Sequence, residues 1–487
     1  MKSNFYNITI LIFLLFAISF SISAQTETED FNAFLKQQQQ DFDKFNNERQ
    51  KQFAEFLKVK WENFDVSEGK PKPVLPEPIE QPVAEPIVED EPVVIIPIEE
   101  PEVVEPPKET PLPPKPEKPK PVVPSNQKEI NLNFFGSPLT LLCDKTSVIT
   151  LKTTDETGIA DFWSKLADAN YANLVYNCRT IGESLQLNDW GYYLLAESIA
   201  EQLYPKSMRN EKAIFKTFIL DEIGFDVRMG LVNKNEIFVM LAIEEMVFAT
   251  SYLTIDGKKY FIFDMPKDAT IKTYSGDFKK DTPKRKIQLT IDKIIYFESD
   301  LKANVIPEKV FGTPINILYN KNMIDYFNTL PQTELSVYFN SKCSPAIDKS
   351  IELALKERIE GKSEREALNT ILRFTHYAFE YQTDDKQFGY ERAFHYEELF
   401  AYPYSDCEDR SVLFSYLVRN LMSLPVVGLD YPGHVATAVK CSSEISGDYI
   451  LYNNEKYLIC DPTYIGAVVG QCMPKYKSEK AKIIKLN

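Results

Sequence analysis

Phenylalanine recurs every eleven residues near the amino end of the chain, at Phe31, Phe42, Phe53 and Phe64. Phe34, Phe45 and Phe56 repeat the same step three residues later. Eleven residues close three helical turns at about 3.67 residues per turn, so these rings line one nearly straight stripe. Gln37–Gln40 and a run of Asp, Lys and Glu supply the opposite, solvated face. The pattern predicts an amphipathic helix within residues 25–70. It has two readings: a coiled coil or docking helix for a cell-envelope partner through residues 31–64, or a helix lying on the protein's own surface. Farther along, Leu185–Leu203 and Glu211–Ile223 carry helical spacing, whereas Glu236–Ala242, Lys259–Phe263 and the alternating stretch Arg285–Tyr296 read as strands. Near the carboxyl end, Glu364–Phe379 is helical, with Leu368, Ile371, Leu372 and Ala378 on one face. A second helix opens at Ser405, where Ser405 and Glu408 have capping-box spacing and Val412, Leu413, Tyr416, Leu417 and Leu421 form the buried face. Two strands follow, beginning at Gly433-His434 and running Lys456–Asp461 after an Asn453-Asn454 turn.

Residues 71–124 hold 18 of the 31 prolines. Proline removes amide donors and pushes its predecessor out of the α region, so this tract forms neither a helix nor a central strand. It reads as a disordered, semi-rigid spacer. The chain opens with Met1-Lys2, the apolar run Ile8–Ile18 and Ser21-Ile-Ser-Ala24 before polar Gln25. That order reads as a secretory signal peptide cut after Ala24, with a retained membrane anchor as the alternative. The expected organisation is signal peptide 1–24, Phe-repeat helix 25–70, Pro-rich linker 71–125, an α+β domain 126–335 and a second domain 336–487. The expected location is secreted or periplasmic, with no stable membrane span once the signal is removed.

Length, charge and cysteine content narrow the function. With 487 residues and 44% apolar side chains, a core of ordinary size is available. A net charge of −16 gives the field the wrong sign for phosphate backbones, so nucleic acid is not an expected partner. Seven cysteines are too few at this length for a disulfide scaffold. No His or Cys spacing calls for a metal, and no motif calls for a cofactor.

Candidate chemistry lies in the last 130 or so residues. Cys407 falls at a helix amino terminus, where free amides and the helix dipole favour a thiolate. A nucleophilic thiol needs a base, and the base needs an orienting group. Cys407, His434 and Asp461 provide them in chain order, 27 residues apart each time. If the two strands are antiparallel neighbours, His434 at the start of one faces Asp461 at the end of the other.

These segments resemble the transglutaminase-like superfamily of papain-type thiol enzymes, in its bacterial secreted form. The matching text is Asp406-Cys407-Glu408-Asp409-Arg410-Ser411, Tyr431-Pro432-Gly433-His434-Val435 and Asp461-Pro462-Thr463, with Tyr381–Asp384 and Glu397–Leu399 upstream. The resemblance covers about residues 363–470. It implies a nucleophile helix packed on an antiparallel sheet, with Cys407 the nucleophile, His434 the acid/base and Asp461 the orienter. Tyr402 or Tyr404, with the Cys407 amide, would then stabilise the oxyanion. Members of the superfamily hydrolyse peptide bonds, cross-link Gln to amines or remove glycans from Asn.

Each assignment has a plainer counterpart. Cys407 could be half of a disulfide, and Asp406, Glu408 and Asp409 simple helix caps. His376 and His395 are expected to be hydrogen-bonded structural residues. Cys143, Cys178, Cys343, Cys441, Cys460 and Cys472 would form up to three disulfides or stay as buried thiols. In the earlier domain, Asn210–Leu231 can be laid over Glu408–Leu429 so that Gly230 meets Gly428, and Lys259–Asp264 over Lys456–Asp461. Arg209 then takes the Cys position. That segment is either a degenerate copy of the same fold or an unrelated unit of one helix and a hairpin. The expected fold class is α+β, with a papain/transglutaminase-like core at the carboxyl end. The expected function is an exported cysteine peptidase or amidase acting on peptide or protein amides through a thioester. A non-catalytic cell-envelope scaffold and a glutamine cross-linking enzyme are the alternatives.

Overall fold

A computed structural model describes residues 44–59, 61–72, 78, 80–85, 93–99, 127–169, 171–275 and 284–486. The expected signal peptide lies outside them. The chain divides into two compact units, one of Met1–Lys60, Pro111–Lys128 and Cys143–Asn173, the other of Trp61–Thr110, Glu129–Leu142 and Leu174–Asn487.

In the smaller unit, residues 44–57 form a helix beside the helix Glu156–Asp168, whose start is capped by the Asp155 carboxylate. The Phe53 ring meets Trp163 edge-on at 4.9 Å and stacks on Phe56, while the Trp163 indole donates to Gln50 at 2.7 Å. This part of the phenylalanine stripe is therefore covered by the protein itself, although Phe45 is 61% exposed. The helix stops short of Phe64, which lies in the strand Glu62–Phe64.

The larger unit is mixed α+β, built on two six-stranded sheets. The first runs, edge to edge, Glu62–Phe64, Ile271–Thr273, Val227–Val232, Glu236–Ala242, Lys258–Ile262 and Ser251–Ile255. The second runs Ile98–Glu99, Ala481–Ile484, Val426–Tyr431, His434–Val439, Glu455–Cys460 and Tyr449–Tyr452. All neighbours are antiparallel except Ile98–Glu99, which pairs parallel to its neighbour. One helix precedes each central hairpin and packs on it: Arg209–Ile223 in the first sheet, Cys407–Met422 in the second.

The two sheets also share their registers. Val232 faces Glu236 as Tyr431 faces His434, and Leu241 faces Phe261 as Val439 faces Leu458. Ile255 faces Lys258 as Tyr452 faces Glu455. Asp264 thus corresponds to Asp461, and Glu236 to His434. Gly230 corresponds to Leu429 and not to Gly428, because the second sheet has one more residue between the start of its helix and the strand that follows. Its helix is 16 residues long against 15. The Gly230 position faces Ile271 and Met240, the same sheet face that Leu429 uses in its own core.

Several elements depart from the sequence reading for local reasons. Leu185 ends the helix Ala172–Leu185, and a separate helix, Asp189–Leu203, starts behind the Asn188 cap. Arg285–Tyr296 buries Ile287, Leu289 and Ile291 alternately, as a strand would, yet it forms only isolated bridges to Phe225 and Ile243. Side chains stand in for a neighbouring strand there: the Glu245 carboxylate accepts the amides of Leu289 and Thr290, and the Ser341 hydroxyl accepts that of Ile291. The Pro-rich tract is not wholly a spacer. Within it, Ile98–Glu99 adds to a sheet edge, Val83 bridges Ile465 and Ile95 bridges Tyr449. Prolines confine these pairings to edges, where a missing donor can face outward.

Candidate active site

The helix Cys407–Met422 begins at the thiol. Asp406 is its N-cap, and the capping box is closed by Asp409, not by Ser405 and Glu408 as their spacing suggested. Asp409 also accepts the Phe394 amide at 2.8 Å, which ties the preceding loop to the helix start. The helix is fixed to the strand His434–Val439 through the Val435 peptide. The Ser411 hydroxyl donates to the Val435 carbonyl at 2.9 Å, and the Val435 amide donates to Cys407 Sγ at 3.3 Å. The thiol therefore sits beside the amide of the residue that follows His434.

A tight turn through Pro432 and Gly433 leads into that strand, and Gly433 takes the left-handed conformation the turn requires (φ 73°). His434 Nε2 donates to Asp461 Oδ2 at 2.8 Å. The other ring nitrogen, Nδ1, is buried without a hydrogen-bond partner among the described residues. The imidazole stacks on Tyr476 at 5.0 Å, which fixes its plane. Asp461 is held in turn, because its Oδ1 accepts the amides of Thr463 (3.0 Å) and Tyr464 (3.2 Å). The antiparallel pairing of Thr437 with Cys460 sets the two strand ends side by side. The thiol, imidazole and carboxylate expected from the sequence are thus brought to one end of the second sheet. All three are buried: Cys407 at 0%, His434 at 2% and Asp461 at 3% exposure.

The tyrosines expected at the oxyanion are engaged elsewhere. The Tyr402 hydroxyl donates to Asn328 and accepts from Arg392, and its ring stacks on Phe394. Tyr404 is surface-exposed and pairs with Glu380 in a short parallel ladder. The Cys407 amide lies in the first turn of its helix.

Charged groups around the thiol form the part that sequence reasoning missed. Glu408, expected to be a cap, accepts from Cys407 Sγ at 3.3 Å and from Lys72 at 3.2 Å, and Lys72 also reaches Glu391 at 2.8 Å. Burial pushes the Glu408 carboxyl up, but the Lys72 ammonium and the hydrogen bonds from Glu391, its own amide and the Cys407 thiol together outweigh it and hold Glu408 well below the usual carboxylate range. Burial, then the Glu408 charge, push Glu391 up. Asp384 and Asp409 are likewise raised, by burial first and by neighbouring carboxylates second. The carboxylates of Asp384, Asp406 and Asp409, and those of Asp384, Glu391 and Glu408, each lie within 4.8 Å of one another and could hold a cation. The signal was visible as the acidic run around Cys407, but Lys72 lies more than 300 residues away and nothing in the sequence links them.

Two more buried groups complete the frame. His376 Nε2 donates to the Asp461 carbonyl at 3.0 Å, and burial pushes its imidazole down to about 4 against that favourable contact. Arg410, fully buried, donates to the Ser405 hydroxyl and to the His376 and Phe379 carbonyls; burial draws it down to about 10. His395 has the structural role expected of it, stacked on Phe327 and paired with Glu398. All seven cysteines are thiols, and all but Cys441 are buried.

No protein-family model, curated protein or solved structure matches this chain.

Proposed function

We propose that this chain is a thiol acyl-transfer enzyme of transglutaminase-like type that hydrolyses peptide or protein amides. The observation that carries the reading is the His434–Asp461 hydrogen bond, which leaves a buried free Nδ1 on the strand whose next amide contacts the Cys407 sulfur. His434 accepts the thiol proton, and Cys407 Sγ attacks the amide carbon. The C–N bond breaks as His434 gives that proton to the leaving amine, and a thioester remains. Water then attacks the thioester, loses a proton to His434 and releases the carboxylic acid with the thiol restored. Amine in place of water would give cross-linking by the same steps.

We infer, too, that the first sheet with its helix is a degenerate copy of the second. The shared strand order and registers support this, with Arg209, Glu236 and Asp264 in the places of Cys407, His434 and Asp461. Such a copy has no nucleophile.

The test is alkylation and turnover together. Iodoacetamide is expected to label Cys407 ahead of the other cysteines, and more slowly in His434→Ala. A fluorogenic peptide-amide library with and without a primary-amine probe separates hydrolysis from transfer. Equal labelling of wild type and His434→Ala, with no thioester trapped from any amide, overturns the reading. Burial of all three residues favours the second reading, a non-catalytic scaffold, in that outcome.

A further inference from the structure

Between Trp61 and Ile98 the chain is held in two different ways. At either end it is core: Trp61 and Ile96 are each 1% exposed, with Trp61 against Tyr274. Between these anchors, residues 80–85 are half-buried or exposed throughout, and Val83 is 68% exposed. They attach along one edge, chiefly through polar contacts, with the half-buried Ala84 methyl packed against the neighbouring core. The Ala84 amide donates to the Ile465 carbonyl and the Ile465 amide to the Pro82 carbonyl, both at 2.8 Å. The Gln81 carboxamide donates to the carbonyls of Thr463 (3.1 Å) and His376 (3.4 Å). Gln471 holds the Glu85 carbonyl, and Tyr381 that of Pro78.

Two of these partners belong to the frame of the triad. Thr463 is the residue whose amide pins Asp461, and His376 holds the Asp461 carbonyl. At the other side, Lys72 binds Glu408, the acceptor of the Cys407 thiol. We propose that segment 80–85, with the Lys72 contact, is an autoinhibitory strap. It is an extended self-ligand added to the Thr463–Ile465 edge that keeps the buried triad closed, and it must lift for a peptide to pair with the same edge. This rests on the reading of Cys407 as a nucleophile. The energetics fit a removable element. A segment whose apolar anchor is the small, half-buried Ala84 methyl and which is otherwise held by a few edge hydrogen bonds opens at a small fraction of the cost of global unfolding. The core anchors at Trp61 and Ile96 keep it tethered when it does. Strand addition to a free edge is also how extended peptides are commonly captured.

The experiment uses the full chain and a double variant, Gln81→Glu with Ala84→Pro. The first change places a carboxylate against two carbonyls, and the second deletes the amide that pairs with Ile465. Hydrogen exchange at the Ile465 amide reports the strap, and iodoacetamide labelling of Cys407 reports the site. The expected result is faster exchange at Ile465 together with Cys407 labelling accelerated about tenfold, the scale set by losing one or two such hydrogen bonds. A synthetic peptide of residues 78–87 added in excess is expected to slow the labelling again. Faster Ile465 exchange with unchanged labelling overturns the proposal, and so does persistent Ile465 protection in the double variant, since the segment would then be core. Labelling needs no turnover. An accelerated thiol with no amide ever cleaved would sink the enzyme reading and leave the strap, whereas turnover without acceleration would do the reverse.

Discussion

Glu236 stands in the first sheet where His434 stands in the second. Each opens the strand after a short turn, Glu236 opposite Val232 and His434 opposite Tyr431. The amide one residue on is treated alike in both: that of Ile237 donates to Asn210 Oδ1 at 2.9 Å, and that of Val435 to Cys407 Sγ at 3.3 Å. In each case the first turn of the preceding helix supplies the acceptor. The scaffold therefore asks only for an acceptor at this point. The two positions differ in burial, Glu236 being exposed and His434 buried.

It follows that Cys407→Ser should fold normally, because a hydroxyl still accepts the Val435 amide and donates to Glu408. Its thermal midpoint should stay within a few degrees of wild type, as for substitutions that keep their hydrogen bonds. Turnover should fall by about a thousandfold or more, the scale seen when a nucleophile is removed from a triad. Thermal unfolding and peptide-amide kinetics check both halves.

Asp461→Asn isolates the orienting role. The amide nitrogen of Asn would face a ring nitrogen that now donates, so the imidazole is driven toward the tautomer with its proton on Nδ1. The rate constant should fall by about 10³–10⁴ while KM changes little, and labelling of Cys407 should slow less than turnover. A fall in KM-dependent binding alone would assign Asp461 to substrate contact instead.

Arg410→Met should be strongly destabilising. The Ser405 hydroxyl and the His376 and Phe379 carbonyls each lose a buried guanidinium donor at once, although the His376 carbonyl keeps that of Gln81. A cost of about 3 kcal/mol or more is expected. Denaturant unfolding measures it directly.

The site was legible where it is local in sequence. The helix start at Cys407, the turn at Gly433 and the strand ending before Asp461 announce themselves by caps, turn residues and alternation, and the antiparallel pairing then follows. The helix Glu364–Ala378 and the strand Glu236–Ala242 were readable for the same reason. What could not be read is non-local. Lys72 on Glu408, Gln81 on Thr463 and Tyr476 on His434 join residues with no shared pattern, and the carboxylate run looked like caps because two of its members are caps. Arg285–Tyr296 misled for the opposite reason. Its alternation is real, but side chains took the place of a partner strand.

The proline tract bears on truncation. A chain starting after residue 125 loses Trp61, Phe64 and Ile96 along with edge pairing to both sheets. Composition alone suggested that the proline tract contributes no core. The structure predicts instead that a fragment beginning at residue 61 melts well above one beginning at 126. Trp61→Ala in the full chain should cost about 3–5 kcal/mol, as for a buried tryptophan. Calorimetry on the three proteins separates these outcomes.

Acid should expose His376. Burial holds its folded imidazole at about 4, below its ordinary value of 6.5, so between those values the unfolded chain binds a proton that the folded chain does not. Stability contributed by this group is therefore full above 6.5 and falls as pH drops toward 4, by at most about 1.4 kcal/mol per pH unit. Glu391 and Asp384 act in the opposite sense, because their raised carboxyls favour the folded state on the acid side. The difference between wild type and His376→Gln removes those shared terms. Gln keeps a donor for the Asp461 carbonyl but cannot titrate, so the variant should lose less stability than wild type between pH 6.5 and 4.5. Denaturant midpoints across that range are the measurement, and parallel curves for the two proteins would mean that His376 does not hold a depressed imidazole.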